Sequence, residues 1–374
     1  YAKAKNHLRR AIKRQTANYT RVADGEAMYN LGLILKAEKN WEAAIDTLYR
    51  AAWDYEYASA AYYQLAQISS KLGNNVRALE EVNMAVNYND MNIDAKNLKT
   101  TLLRKAGKSA EALKLAQEVI KLDPLNYYAT NELMLLGVKP ASELKVLLRG
   151  VPESHLELAL YYYNNGFVNE AKNILAVSEV VSPYPTVEYW LGYIADTEGN
   201  TDLAREWFKK AESKDIDYVF PFRLETVAVL DKALEYLPQS HNTWYYLGNL
   251  YYHKQPEKAL EAWEKAVEAK PDFAMALRNL GWYWRFKNEN KDKDFQNASA
   301  TAESHYFFLL LKTLFAVHEN VLDKVEEYLS SIEEILLNSN QQYHLLRFYY
   351  QAFLIYQELK FTSKSMEMLA KGQQ

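Results

Sequence analysis

Hydrophobic and polar positions alternate with a helical period along most of the chain. Within segments rich in Ala, Leu, Glu and Lys, apolar side chains recur three and four residues apart, which places them on one face of a helix. Stretches that alternate every second residue, as a half-buried strand would, are few. Glycine and proline are also sparse, with 12 and 9 residues. The pattern predicts an all-α fold.

The segment WYYLGNLYYHKQPEKALEAWEKAVEAKP, residues 244–271, displays a repeating unit. Its landmarks are Trp244, Leu247, Gly248 and Tyr251 on a first helix, then Ala259, Trp263, Ala266 and Pro271 on a second. The small residues Gly248 and Ala259 allow the two helices to approach closely, and Pro271 ends the second because it has no backbone N–H. This helix–turn–helix spacing resembles the tetratricopeptide repeat (TPR), a unit of about 34 residues.

The same landmarks recur earlier in the chain with a constant spacing of 34 residues. The three series are Gly32, Ala66 and Thr100, then Ala44, Ala78 and Ala112, then Ala51, Ala85 and Val119. Lys39, Gly73 and Gly107 take the turn position between the helices. Because the series stay in register over three units, we expect a TPR-type α–α superhelix, which is a right-handed solenoid of antiparallel helix pairs.

The quality of the repeat divides the chain into parts. We expect an N-terminal capping helix over 1–20, TPR units 1–3 over 21–125, a degenerate unit over 126–150, units 5–6 over 151–215, a lone helix over 216–240, units 7–8 over 241–318 with a polar loop near 287–301, and C-terminal capping helices over 319–374. The unit at 126–150 is degenerate because LGVKP interrupts it early and leaves a short second helix. The lone helix has no first helix before it, which predicts a discontinuity in the stack.

A more specific resemblance covers residues from about 20 to 285. DGEAMYNLGLILKAEKNWEAAIDTLYRAAWDYEYASAAYYQLAQI, NLKTTLLRKAGKSAEALKLAQEVIKLDPLNYYATNELMLL and FPFRLETVAVLDKALEY resemble the C-terminal half of a bacterial family of uncharacterised multi-domain TPR proteins. In that family a β-rich domain of unknown function, with a suspected link to carbohydrate metabolism, precedes the repeats. The resemblance implies that this chain is the helical part of a longer protein, and a first residue of Tyr1 rather than Met agrees with it.

Composition narrows the classes of function. The chain has 374 residues, of which 25% are charged and 49% hydrophobic, and its net charge is −4, so we expect a folded protein without a nucleic-acid interface. No apolar run reaches the roughly 18 residues of a membrane span. The absence of cysteine excludes disulfides, thiolate nucleophiles and Cys-ligated metals. The compartment stays open: a cytoplasmic location is favoured, and a periplasmic one is the alternative if a targeting signal precedes Tyr1.

No motif for catalysis is present. The seven histidines are scattered, without the H-E-x-x-H spacing of a zinc site, and G-x-S-x-G, P-loop and G-x-G-x-x-G signatures are missing. We therefore expect no catalytic, cofactor-binding or metal-ligating residues, and interpret the protein as a non-enzyme.

The candidate binding residues lie on the first helix of each unit. In a TPR stack the first helices line the concave groove, and positions 2, 5, 9 and 12 of each unit are expected to point into it. Aromatic residues predominate there from the fifth unit onward, and Tyr and Trp offer contact area with little loss of rotamer freedom. The candidates are Tyr29, Tyr63, Asn97, Arg104, Tyr163, Tyr189, Tyr193, Tyr245, Asn249, Tyr252, Arg278, Trp282 and Arg285. The alternative for each tyrosine is that it packs against a neighbouring helix.

These observations favour a non-catalytic scaffold whose groove binds a peptide or a partner domain, including the β-rich domain of the same full-length protein. Glycan recognition is the second hypothesis, since aromatic side chains also suit sugar rings, and a structural spacer for an attached domain is the third. Asn97 and Arg104 match only part of the lysine–asparagine set with which some TPR proteins grip a terminal carboxylate, so a chaperone tail is not expected.

Overall fold

The structure is a computed structural model of the chain. It describes residues 1–18, 21–22, 24–181, 184–216, 219–271, 273–286, 313, 322–337 and 345–373. The predicted polar loop near 287–301 therefore lies outside the described residues. Across the described ranges the secondary structure is helical and contains no strand, which confirms the predicted all-α fold. Every helix in these ranges is too short or too polar to traverse a lipid bilayer.

The chain forms two compact units, residues 1–200 and 201–374. The helices of the first unit are α1 (Ala2–Gln15), α2 (Glu26–Ala37), α3 (Trp41–Ala51), α4 (Tyr55–Lys71), α5 (Asn75–Tyr88), α6 (Ile93–Lys105), α7 (Ser109–Leu122), α8 (Tyr127–Leu135), α9 (Ala141–Leu148), α10 (Pro152–Asn164), α11 (Val168–Val181) and α12 (Pro185–Thr197). The helices of the second are α13 (Thr201–Glu212), α14 (Thr226–Tyr236), α15 (His241–Tyr252), α16 (Pro256–Ala269), α17 (Ala274–Phe286), α18 (Leu322–Leu337), α19 (Leu345–Glu358) and α20 (Thr362–Gln373).

Small residues determine how the helices of the first unit pair. The helices α2 and α3, α4 and α5, and α6 and α7 pack as successive pairs. On the second helix of each pair, Ala44, Ala78 and Ala112 are fully buried. A methyl side chain at these positions allows close contact between helix backbones, and the larger side chains around it fill the core. The 34-residue register therefore reflects the packing of one helix pair after another.

Short polar segments separate the helices, both within a pair and between pairs. The side chains of Asn74, Asn92 and Asn126 accept hydrogen bonds from backbone N–H groups in the first turns of α5, α6 and α8, which stabilises these helix starts. Between the helices of a pair, Gly73 and Gly107 have φ of 80° and 76°, in the left-handed region that glycine adopts without strain. These local signals explain why each helix begins and ends where it does.

The fourth pair differs from those before it. The helix α9 has only 8 residues, whereas α5 and α7 have 14 each. In the preceding pairs the second helix packs closely on the next first helix, as α5 does on α6, but this packing does not continue to the same extent between α9 and α10. The short helix and the loose junction leave space beside α10 and α11.

In the second unit, α14 packs against α15 and less extensively against α13, and the described residues between α13 and α14 form no helix. Beyond it, α15 and α16 form a pair, and α17 packs on α16. The helices α18, α19 and α20 share a separate cluster of buried residues that includes Val325, Ile332 and Phe348.

Candidate functional site

Two first helices of the first unit contact each other directly. On α4, Tyr63 Oη donates to Tyr161 Oη at 3.3 Å, and Gln67 Nε2 donates to Asn165 Oδ1 at 3.0 Å. Ser70 Oγ donates to the Asn165 backbone oxygen at 2.6 Å. Tyr161 and Asn165 belong to α10 and its C-terminal cap, nearly a hundred residues further along the chain. The face of α4 that was expected to line an open groove therefore binds α10 and its C-terminal cap, through residues of α10 that were not among its expected groove positions.

The end of α4 and the turn after α10 come into close contact at Gly166. A Cβ atom at this position would lie 2.7 Å from Lys71 Cα and 3.0 Å from the Ser70 backbone oxygen, so no side chain fits. Its φ of +84° is also one that only glycine adopts without strain. Backbone thus packs on backbone where the end of α4 meets the turn after α10, which leaves no room there for a partner.

Arg104 is held inside the protein by carboxylates. Its Nε donates to Glu132 Oε2 at 2.6 Å, and its Nη2 lies 3.2 Å from Glu170 Oε1. Glu132 is fully buried and also accepts hydrogen bonds from Tyr162 and Thr101 at 2.7 and 2.8 Å. Because its charge is already neutralised, Arg104 has a structural role in this arrangement. This corrects its assignment as a free groove residue.

The structure also corrects the exposure expected for three candidates. Asn97, Tyr189 and Tyr245 have only 3%, 1% and 2% of their surface exposed. Tyr245 packs edge-on against Phe273, with ring centroids 5.4 Å apart. Aromatic side chains bury large areas when a neighbouring segment packs against their helix, as the segment with Phe273 does at Tyr245. These three side chains cannot contact a partner in this conformation.

Other aromatic candidates of the first unit pack against tyrosine rings of other helices. Tyr29 lies 5.7 Å from Tyr57, and Tyr163 lies 6.3 Å from Tyr193, measured between ring centroids. Burial and the neighbouring Tyr193 raise the pKa of Tyr163 to about 12. Of the candidates further along, Trp282 and Arg285 have side chains that lie outside the described residues.

Lys36, on α2, is a further candidate polar residue, and its side chain contacts α4. It has no carboxylate partner among the described residues. Its Nζ donates to Gln64 Oε1 at 2.6 Å and to Gln67 Oε1 at 2.5 Å. Burial, with repulsion from Lys71, lowers the pKa of Lys36 to about 7. The ammonium group therefore destabilises the folded state at neutral pH and below.

The pKa of Lys36 predicts a pH-dependent effect of Lys36→Met. In the unfolded chain the lysine has its usual pKa of about 10.4, so folding releases a proton between roughly pH 7 and 10, and the penalty falls as the pH rises through that range. We expect the variant to unfold at a higher urea concentration than the wild type at pH 7, and this advantage to shrink towards pH 10. Lys3→Met, on the exposed face of α1, is the control; a difference independent of pH would contradict the assignment.

The second unit presents a different arrangement on α15 and α17. Asn249 Oδ1 accepts two hydrogen bonds, one from Trp263 Nε1 at 3.2 Å and one from Asn279 Nδ2 at 3.1 Å. These two donors fix the orientation of the Asn249 amide, and its Nδ2 group has no partner among the described residues. Asn279 Oδ1 in turn accepts from Arg278 Nη2 at 2.9 Å, which holds the guanidinium beside the amide.

Arg278 and Tyr252 complete this arrangement. Within the part of the chain that the structure describes, no carboxylate lies within ion-pair distance of Arg278, in contrast to Arg104. Tyr252 lies one turn after Asn249 and is 44% exposed. Its ring packs against the buried Trp263, with ring centroids 5.4 Å apart. We call the surface formed by Asn249, Tyr252 and Arg278 the α15–α17 surface. As far as the structure describes its surroundings, it offers an amide donor without a partner, a positive charge without a carboxylate partner, and an exposed aromatic ring.

Sequence reasoning identified Asn249, Tyr252 and Arg278 as groove residues but missed Asn279, which orients two of them. It also missed Glu132 and Asn165, which occupy the corresponding face in the first unit. A short-range repeat pattern describes contacts between neighbouring pairs, so no signal in it could reveal the contact between α4 and α10. No group of three or more His, Asp or Glu side chains in the described ranges is arranged to hold a metal ion.

Comparison with known proteins supports the repeat architecture. A model of the tetratricopeptide repeat family matches residues 1–61, 156–218 and 249–294, slightly less than half of the chain. The chain contains tetratricopeptide repeats. The third matched segment includes the α15–α17 surface, so this surface lies on the first helices of TPR units.

Solved structures similar to this chain include yeast Tom70, at 12% identity over 93% of this chain and 84% of Tom70, with a TM-score of 0.38. YrrB, described as a TPR protein with an unusual peptide-binding site, is 16% identical over 73% of this chain and 96% of its own, with a TM-score of 0.28. Human IFIT1, solved as a dimer with m7Gppp-AAAA, is 15% identical over 99% of this chain and 93% of its own, with a TM-score of 0.26. At these values the similarities carry no information on the ligand of this chain.

Proposed function

We propose that the protein is a non-catalytic interaction scaffold and that the α15–α17 surface binds an extended, acidic peptide segment of a partner protein. TPR units are typical of protein-interaction scaffolds, which supports the general part of the proposal. The specific part depends on Asn249, Tyr252 and Arg278. These groups can hydrogen-bond and neutralise a ligand, and none of them is a nucleophile paired with a base.

One observation carries the proposal: two donors orient the Asn249 amide so that its Nδ2 group has no partner among the described residues, and one of these donors, Asn279, also accepts from Arg278. A fixed amide donor suits the carbonyl oxygen of an extended peptide backbone, which repeats at regular intervals. A guanidinium without a carboxylate partner suits an Asp, Glu or C-terminal carboxylate of the ligand. Because both groups are already positioned, binding costs little side-chain ordering.

The partner segment could come from the same full-length protein. The resemblance to a family with a β-rich domain before the repeats makes an acidic loop of that domain one candidate source. A segment from a separate protein is the other. Both have the same chemistry, so a peptide selected for binding identifies the motif before its source is known.

The test begins with a random peptide library displayed on phage and selected on the full chain. We expect the selected peptides to be enriched in Asp and Glu, and a synthetic peptide from the selection to lose at least about tenfold in affinity, or ~1.4 kcal/mol, for Arg278→Ala. Fluorescence anisotropy of the labelled peptide measures the dissociation constant. Arg10→Ala removes an exposed arginine from α1 and is the matched control, with an unchanged affinity expected.

The Asn249→Asp variant tests the amide NH₂ group while it keeps the hydrogen bonds that hold the side chain in place. Aspartate keeps an oxygen for Trp263 and Asn279 to donate to, but it loses the free NH₂ group and adds a negative charge. We expect the acidic peptide to bind this variant more weakly than it binds Arg278→Ala. Selected peptides without acidic residues, or equal affinity for all variants, would reject the proposal.

The glycan hypothesis is less well supported on this surface. It depends on a row of exposed aromatic rings, and of the two candidate tyrosines on α15, Tyr245 is buried and Tyr252 is exposed. An oligosaccharide array probed with the labelled full chain tests it directly. Specific glycan binding that is lost in Tyr252→Ala and retained in Arg278→Ala would favour this function over the peptide.

A further inference from the structure

The start of the chain has a charge distribution unlike that of the rest. Residues 1–23 contain seven Lys or Arg residues and no Asp or Glu. Since the net charge of the whole chain is −4, the remaining residues together carry −11. The expectation that the protein lacks a nucleic-acid interface came from the net charge of the whole chain, which averages over this positive segment.

The positive side chains of α1 lie on one side of the helix. Five of them are exposed, and we call them the cationic face of α1: Lys3, Arg9, Arg10, Lys13 and Arg14. At about 100° per residue, Arg9 and Arg14 lie about 140° apart around the helix axis, and the other three lie between them. On the opposite side Leu8 and Ile12 pack against a core cluster of the first unit that includes Leu31. The fold therefore holds α1 with its positive side outward.

The protein itself does not neutralise the cationic face. Among the described residues, no carboxylate lies within ion-pair distance of any of its five side chains. Lys5, at its edge, is bound by Glu38, with Nζ and Oε2 at 2.6 Å. Like charges four residues apart, such as Arg10 and Arg14, repel each other and destabilise a helix. The cationic face thus has a cost that an anionic ligand would remove.

The helix α7, which also has 14 residues, shows a different arrangement. Its charged side chains alternate in sign along the helix: Glu111, Lys114, Glu118 and Lys121. A helix face that contacts only water usually carries both signs, since opposite charges at this spacing stabilise the helix. Because α1 carries a single sign, solubility alone does not explain its composition.

Three classes of anionic partner can be compared. Stable attachment to an anionic membrane needs apolar insertion in addition to positive charge, and the apolar side chains Leu8 and Ile12 are already packed on the core. A protein partner binds through an apolar or aromatic centre, and the cationic face contains no Phe, Tyr, Trp or large aliphatic residue. A nucleic acid needs only positive charges, because each phosphate contact releases condensed counterions.

We propose that the cationic face of α1 binds the phosphate backbone of duplex DNA without sequence preference. An α-helix with its side chains is about 10–12 Å across and the major groove of B-DNA is about 12 Å wide, so side chains on both flanks of α1 can reach phosphates. The narrow major groove of duplex RNA does not admit a helix. Phosphate contacts carry no sequence information, and the negative charge of the rest of the chain confines DNA to α1.

Fluorescence anisotropy of a short labelled DNA duplex of mixed sequence, titrated with the full chain, tests the proposal. We expect saturable binding that weakens between about 50 and 200 mM KCl, and five phosphate contacts predict a slope of about −4.5 for log K against log salt. Binding that does not saturate, or that does not depend on salt, would overturn the proposal.

A quadruple variant tests the location, with substitutions Arg9→Gln, Arg10→Gln, Lys13→Gln and Arg14→Gln. Glutamine is a good helix former and the repulsion is removed, so the urea midpoint should stay the same or rise. We expect at least about tenfold weaker duplex binding and a slope near about −1. The matched control removes four exposed lysines outside α1 and should stay within about threefold of the wild type. Its substitutions are Lys114→Gln, Lys121→Gln, Lys145→Gln and Lys209→Gln.

Two further measurements separate the proposal from its alternatives. Equal loss of duplex binding in both quadruple variants would assign the effect to overall charge and overturn the site. Phosphatidylglycerol vesicles that bind the wild type as tightly as the duplex does, and lose binding with the α1 variant, would overturn it in favour of a membrane surface. The proposal does not depend on the α15–α17 surface: the α1 variant should keep its affinity for the selected acidic peptide, so the two proposals can fail separately.

Discussion

Gly248→Ala should destabilise the protein by about 3 kcal/mol, although alanine is normally the better helix former by ~1 kcal/mol. A Cβ atom on Gly248 would overlap the indole ring of Trp263, with Trp263 Cε2 only 2.8 Å away. The ring cannot yield easily, since Trp263 is 3% exposed and its Nε1 donates to Asn249. The midpoint of urea unfolding, followed by far-UV circular dichroism, measures the effect.

The double variant Gly248→Ala/Trp263→Leu is the control for this cause. Without the indole ring the added methyl group has space, so the further cost of Gly248→Ala in the Trp263→Leu background should fall below about 1 kcal/mol. If Gly248→Ala lowers the free energy of unfolding equally in both backgrounds, the close contact between α15 and α16 is not the reason for glycine at position 248.

The second large effect is expected at the ion pair of Arg104 and Glu132. Arg104→Ala would leave the fully buried Glu132 without its positive partner, and removing one member of a buried pair costs roughly 3–5 kcal/mol. Arg104→Ala/Glu132→Gln should recover part of this loss because the uncompensated charge is gone. The urea midpoint of each variant gives the comparison.

An exposed ion pair of the same unit serves as the reference. Lys139 and Glu143 lie four residues apart with Nζ and Oε2 at 2.6 Å, and both side chains are partly exposed. Lys139→Ala should change stability by less than about 0.5 kcal/mol, as exposed pairs contribute little. If Arg104→Ala were as harmless as Lys139→Ala, Arg104 would be free to serve a partner after all.

The fold could be predicted from the sequence because its signals are local. The recurring alanines, such as Ala44 and Ala78, indicate where helices less than 34 residues apart in sequence pack closely. The turn glycines indicate where the backbone has a positive φ. LGVKP also predicted a short second helix after it, and α9 has 8 residues. What could not be predicted is the space beside this short helix, because it depends on how α9, α10 and α11 pack.

The site was harder to predict than the fold. Position within a repeat identifies a face of a helix, but it does not say what lies opposite that face. Arg104 and Tyr252 both occupy position 12 of their units, yet Arg104 is bound by the buried Glu132 and Tyr252 is 44% exposed. These differences come from residues distant in sequence, which a repeat pattern does not contain.

The central claim is that partner binding occurs on the α15–α17 surface and not on the face where α4 and α10 meet. Hydrogen–deuterium exchange, measured by mass spectrometry on the full chain with and without a selected acidic peptide, tests it most directly. The account predicts slower exchange on peptide addition in residues 241–252 and 274–286, with unchanged exchange in 55–71 and 152–164. Protection confined to 55–71 and 152–164 would contradict it.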